Sequence, residues 1–291
     1  MTFLMGSIEQ GLIFAIMVLG VYITYKILDF PDLTVDGSFP MGAAVVASGI
    51  ATRGWSPIFA LFIAGIAGAL AGLFTGFIHV HFKIRDLLAG ILTMTALYSV
   101  NLRIMGKSNI HLFNQTHLFN KFSLSEHSIL NAILIIVVIL FILKFLLDFL
   151  LVTEFGFALR ALGDNEKLVI ALGVNEKILK ITGLMISNAL VAISGGVLAQ
   201  HQGFADIGMG TGIIVAGLAS IILGEGVFKN IKKMKMTSIV LLGSIIYRLA
   251  ISLALRAGFR ATDLKLITAL IVIAILAPKS KLSIFNKKAG D

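Results

Sequence analysis

The chain has no cysteine, which excludes disulfides, thiol chemistry and any cysteine-ligated metal centre. Charge is scarce as well. Asp, Glu, Lys and Arg make up 13% of the 291 residues, whereas 58% are hydrophobic and the mean hydropathy is +0.99. A soluble domain of this length does not carry that balance. No Lys or Arg precedes Lys26, so the first apolar run lacks the basic flank of a cleavable signal and is expected to remain as a span. The six histidines show no metal-ligand pairing on one helix face, and the scattered carboxylates form no acid/base pair. A zinc enzyme and an intramembrane enzyme therefore lack their constellations. Gly106-Lys107-Ser108 ends like a phosphate loop, but position 101 is Asn where that loop needs glycine, and no strand precedes it.

What is present is apolar sequence in long runs. Several approach or exceed the roughly 20 residues that cross a bilayer as helix. They do not alternate, which rules out a barrel, the other way to satisfy a backbone in lipid. The expectation is an all-α polytopic membrane protein, a single transmembrane domain over residues 1–291, with about nine spans. Eight lie at about Met5–Leu28, Ile58–Val80, Leu87–Met105, Ser128–Leu151, Ile178–Leu198, Gly212–Phe228, Thr237–Leu255 and Leu264–Ala277. The remaining one, the second, is irregular. Residues 29–40 are too polar to cross, and the run from Met41 to Thr52 is short. Ser38 suits a cap and Pro40 a first helical position. A broken helix whose polar lead-in dips into the protein fits; so does a cytoplasmic loop before a tilted helix.

The net charge of +9 does not point to nucleic acid, because the basic residues cluster in short loops between spans. With nine spans, Lys26, Lys83, Arg85, Arg160, Lys167, Lys177, Lys180 and the runs at 229–235 and 279–288 share one side. Arg53, Arg103, Lys107, Lys121, Arg256, Arg260 and Lys265 take the other. The first side, with the excess, is cytoplasmic. Trp55 suits the opposite headgroup level. Gly68, Gly72 and Gly76 recur at a spacing that lets a neighbouring helix approach closely.

Between two very apolar segments lies Gly156 to Gly173, on the cytoplasmic side. Asp164 or Asn165 can cap a short helix there. Glu166 falls where the dipole favours an anion. Leu168, Ala171 and Leu172 share one face, and Gly173 is a left-handed stop. A short amphipathic helix at a membrane surface, its apolar side offered to a partner, accounts for all of these.

Polar residues inside the spans mark the candidate pathway: Asp36, Ser38, Thr93, Tyr98, Asn188 and Arg248. Each has a plainer reading. Asp36 and Ser38 suit helix capping, and Thr93, Tyr98 and Asn188 suit bonds across helices. A cation at mid-bilayer costs about 2.5–3.5 kcal/mol on insertion scales, so Arg248 needs a partner: Glu9, Asp36 or a substrate carboxylate.

Arg160-Ala-Leu-Gly163-Asp-Asn-Glu166, then Ala171-Leu-Gly173-Val-Asn175, then Ser194-Gly-Gly196 resemble the membrane permeases of prokaryotic ABC importers, closest to the branched-chain amino acid and ribose type. The likeness reaches forward to Leu223-Gly-Glu-Gly226 and back to Asp32–Ser38, so it covers most of the chain. The N-terminal half looks most like a subgroup linked with aromatic amino acids. The resemblance implies a plasma-membrane permease that takes up a small solute, an amino acid before a nucleoside or a sugar. It implies cytoplasmic ATPase subunits that bind ATP and Mg, an extracellular solute-binding protein, and a second permease copy or sister chain. No cofactor is expected in this chain. Arg160, Gly163, Asp164, Asn165, Glu166, Leu168, Ala171, Leu172 and Gly173 would then form or flank the coupling helix that docks on the ATPase. A secondary transporter or channel, working without an ATPase, is the competing expectation.

Overall fold

A computed structural model describes residues 2–113, 115–121, 128–228, 231, 234–260, 263–264, 266–270 and 273. Helix α1 (Thr2–Tyr22) runs on through one wider, π-helical turn at Ile23–Ile27, and then the backbone breaks. Asp29 takes a positive φ of 51°, a conformation that Asn and Asp adopt more readily than most residues. Asp32 Oδ1 accepts the Thr34 N–H at 2.9 Å, an Asx turn, and α2 (Val35–Arg53) begins directly after it. Helix α2 is buried on every face through most of its length, from Val35 to Ile50. Its 19 residues rise about 28 Å.

The expected start of α2 was therefore too late. Pro40 lies inside the helix, and Ser38 Oγ bonds to the Thr34 carbonyl (2.9 Å) and to Asn188 Oδ1 instead of capping. Proline removes one intrahelical donor, so sequence alone favours a boundary there. The segment after the break supplies the turn that lets the helix begin earlier.

Helix α3 (Pro57–Phe82) starts after a tight turn in which Gly54 is left-handed (φ 64°) and the Trp55 ring covers Gly49. Helix α4 (Asp86–Met105) leads to β1 (Asn109–His111), and the one-turn α5 (Leu118–Lys121) precedes α6 (Ser128–Val152). Two short helices follow, α7 (Glu154–Asp164) and α8 (Glu166–Ala171), then the long α9 (Glu176–Gln202). Strand β2 (Phe204–Asp206) pairs antiparallel with β1, Ile110 opposite Ala205, a small ribbon that the polar loop sequences did not announce. A 3₁₀ turn at Ile207–Gly210 leads into α10 (Ile213–Phe228), and α11 (Met236–Arg256) follows.

Among the described residues seven helices are long and apolar enough to cross a membrane, α1, α3, α4, α6, α9, α10 with its 3₁₀ turn, and α11. The count of nine is not reached. Helix α2 falls short in hydropathy because neighbouring helices, not lipid, surround it. Half of the expected span at 264–277 lies outside the described residues.

Helix α9 is the hub. The glycine stripe of α3 meets it, since a Cβ on Gly68 or Gly72 would run into the Asn188 or Leu184 carbonyl. Gly195 seats on the Phe39 carbonyl of α2 in the same way. Hydroxyls tie the bundle to α1: Ser187 donates to Gly20 O (2.8 Å), Ser194 to Ile13 O (2.7 Å) and Ser244 of α11 to Gly11 O (3.0 Å). Such bonds in a membrane are worth about 0.6 kcal/mol each; close packing supplies the rest. Helix α6 turns Phe141, Phe145 and Phe149 outward. At one end of the bundle Lys26 pairs with Glu225 (3.0 Å), while Asp148 holds Lys144 (2.7 Å), Lys235 (3.2 Å) and the Thr237 hydroxyl (2.6 Å). Arg53, stacked on Trp55, and Arg103 sit at the other.

Candidate functional site

Two arrangements bring together most of the residues singled out from sequence, one at the lysine-rich end and one within the bundle. At the first, α7 folds back from α6. Thr153 Oγ1 accepts the Gly156 N–H (3.4 Å) at its start. Arg160 donates to the Leu151 carbonyl (2.5 Å) and to Gly156 O (3.3 Å), with its guanidinium over the Phe157 ring at 4.7 Å. Arg160 thus satisfies a C-terminal carbonyl of α6 and fixes where α7 departs.

Asp164 ends α7. Asn165 is the corner and caps α8, its Oδ1 accepting the Leu168 N–H at 3.1 Å. Glu166, in the first turn of α8, pairs with Lys180 of α9 at 2.7 Å. Val169 is buried and anchors α8, whereas Leu168, Ile170, Ala171 and Leu172 are exposed, Leu172 at 70%. Gly173 closes the helix with φ 76°. The stretch is therefore two helices with a corner, and the second presents an uncovered apolar surface.

Gly163 presses against the carbonyl of Ile27, the last residue of the π-helical turn. Beside it Leu28 packs on Gly183 and Leu159 sits in the core. So α7 rests directly on the break between α1 and α2. A groove of about 600 Å³ lined by Asp29, Phe30, Lys83, Arg85, Gly163, Glu166 and Lys180 runs alongside.

From the break a buried polar network leads inward. Asn188 donates to Asp32 Oδ2 (2.7 Å) and to Leu184 O (3.0 Å), and accepts from Ser38. Thr34 and Thr75 join hydroxyls at 2.7 Å. Thr75 lies seven residues from the end of α3, about 10 Å into the helix. The polar lead-in therefore dips inside the protein, ahead of an α2 that is itself unbroken from Val35 to Arg53.

Asp36, one turn further, caps another helix: its Oδ2 accepts the Gly212 N–H (2.7 Å) and its Oδ1 the Ile214 N–H (2.9 Å) of α10. Gly210 packs on the Asp36 carbonyl and the Pro40 ring. Between this strip, α2 and α4 is a cavity of about 350 Å³ lined by Asp36, Gly37, Pro40, Met94, Thr95, Tyr98, Asn101, Ile207, Gly208 and Thr211. Asn101 Nδ2 donates to Gly37 O (3.1 Å), while its Oδ1 is buried with no partner.

Of the residues singled out from sequence, the cavity unites Asp36 and Tyr98. Ser38 and Asn188 belong to the buried network. Thr93 is fully buried and bonds back to Ala89 O (3.0 Å). Arg248 stands elsewhere, its guanidinium 3.4 Å above the Phe14 ring. The expected ion pair is not formed: Glu9 meets His201 (3.1 Å), and Asp36 holds α10. Arg248 is too far from both carboxylates, and an aromatic face takes their place.

The strip 207–212 was not among the residues expected to matter. The glycines at 208, 210 and 212, in a loop lacking Lys and Arg, were the available signal. Among the described residues no group of three or more His, Asp or Glu could hold a metal ion.

Residues 3–276 match the family described as "Branched-chain amino acid transport system / permease component". The chain is 49% identical over 290 residues to the tyrosine transport system permease protein of Clostridioides difficile (strain R20291), covering 100% of this chain and 95% of that protein. It is 35% identical over 285 residues to an uncharacterised protein of Rickettsia prowazekii (strain Madrid E), covering 95% and 98%. No solved structure matches at a comparable level.

Proposed function

The chain belongs to the family of permease components of branched-chain amino acid transport systems, and from that premise we propose that it moves an aromatic amino acid of the tyrosine kind inward, driven by a separate ATPase that docks on α8. It is a multi-pass protein of the prokaryotic inner membrane and a transport subunit, not an enzyme. ATP and its magnesium belong to the ATPase. A solute-binding protein delivers the solute at the arginine-bearing end, and a second permease copy or sister chain completes the path.

The observation that carries this reading is the contact between Gly163 and the Ile27 carbonyl. It makes one mechanical line from an exposed apolar helix to the solute cavity. Displacement of α8 shifts the break, the break is hydrogen-bonded through Asp32 and Asn188 to α2, and α2 holds α10 through Asp36. Two discrete packings of such a line would open the cavity to one side at a time. The cavity volume falls within the roughly 300–1,000 Å³ of small-ligand sites. Met94, Pro40 and the Tyr98 ring give it apolar walls, and Asn101 Oδ1 is an unfilled acceptor for an ammonium group.

The test is reconstitution into proteoliposomes with the ATPase and the solute-binding protein. Tyrosine uptake is expected to require ATP and all components. Equal uptake by this chain alone, without an ATPase, would mean a secondary transporter or channel and overturn the proposal.

A further inference from the structure

A second cavity, of about 450 Å³, lies on the other side of the strip that borders the first. Its walls are α1 with Gln10 and Phe14, the end of α9 with Gln202, the segment with Asp206 and Gly208, and Arg248 of α11. Gly208 borders both cavities. Arg248 is eight residues before the end of α11, about 12 Å inside it. Its Nε is buried with no hydrogen-bond partner, and among the described residues it forms no ion pair. Stacking on Phe14 holds the guanidinium plane in place without using its N–H groups. Asp206 lines the same cavity without pairing to Arg248, its Oδ1 occupied by the Gly208 N–H (2.8 Å) and its Oδ2 3.4 Å from Asn109 Nδ2.

We propose that Arg248 is an anchor for the carboxylate of the transported amino acid, in a station separate from the α2–α4 cavity. A fixed guanidinium presents paired donors that match a carboxylate. With an unpaired cation and a carboxylate in its lining, together with the amides of Gln10 and of Gln202, the latter donating to Phe204 O (3.2 Å), the cavity suits a zwitterion. The inference rests on the reading of the solute as an amino acid.

The permease–ATPase complex in nanodiscs provides the test, with radiolabelled L-tyrosine as the probe. Competitors are deaminated tyrosine, which keeps the carboxylate, and tyramine, which lacks it. In Arg248→Gln, tyrosine affinity is expected to fall about tenfold or more. Deaminated tyrosine should cease to compete, and tyramine should compete as in the wild type. Arg248→Lys keeps the charge without the planar fork and should show an intermediate loss; it decides the matter if Arg248→Gln does not assemble. Unchanged affinity, or a parallel weakening of both competitors, would assign Arg248 to packing and overturn the anchor. If the wild type binds leucine and not tyrosine, the tyrosine assignment fails alone, and leucine with its deaminated and decarboxylated analogues decides Arg248. Binding of neither amino acid by the wild type overturns the anchor.

Discussion

Replacing Gly163 by alanine separates ATP hydrolysis from transport if α7 acts through the break. A Cβ at this position would stand 2.9 Å from the Ile27 carbonyl carbon and 3.2 Å from that of Leu28, and closer still to the Ile27 oxygen. Ordinary contact begins at 3.4 Å, and backbone atoms cannot rotate aside as a side chain does. Helix α7 must therefore back away by about 1 Å, and overpacking of this kind costs about 1–3 kcal/mol. A middle value of about 2 kcal/mol against the state in which α7 and the break fit together is a factor of about thirty in its population. Helix α8 remains exposed, so ATPase docking should survive. The expected outcome in proteoliposomes is an assembled complex that hydrolyses ATP but imports at least about tenfold less tyrosine per ATP. Gly226→Ala is the control: the added methyl meets nothing within 4 Å, and uptake should stay near wild type. An assembled, thermally stable Gly163→Ala complex with the wild-type uptake-to-ATP ratio would refute the mechanical link.

Four further outcomes follow from other contacts. Asp36→Ala leaves the Gly212 and Ile214 N–H groups without their acceptor, an expected loss of about 1–2 kcal/mol, read as a lower thermal midpoint in detergent and as lost uptake; Asp36→Asn, which still offers one oxygen, should fall between. Asn188→Ala strips Asp32 and Ser38 of a shared partner inside the protein and should cost about 1–3 kcal/mol in the same melting assay, whereas Glu166→Gln, breaking a pair whose glutamate is exposed, should shift stability by less than about 1 kcal/mol. Leu168→Ser with Leu172→Ser removes apolar surface that is already exposed, so the permease should fold normally yet lose co-purification with the ATPase; undiminished co-purification would place docking elsewhere.

Much of this protein was legible in sequence because lipid imposes few alternatives. Long runs without charge had to be helices, and the glycines of α3 announced a close neighbour without naming it. The cap at Asn165 and the left-handed stop at Gly173 are local rules, decided within one helical turn. The resemblance carried by Arg160 to Asn175 placed the chain in its family, and full-length similarity agrees.

Other features depended on residues far apart in the chain. Helix α2 hid its start because an Asx turn at Asp32 and a partner at Asn188, 156 positions away, stabilise helix before a proline that usually marks a beginning. Its modest hydropathy concealed a buried helix, since α2 meets protein where its neighbours meet lipid. Arg248 was conspicuous in sequence, but only tertiary structure determined that it faces Phe14 and an open cavity instead of Glu9 or Asp36. Periodicity and composition report what each segment avoids; which segment it avoids water or lipid with is set by packing, and packing is a property of pairs.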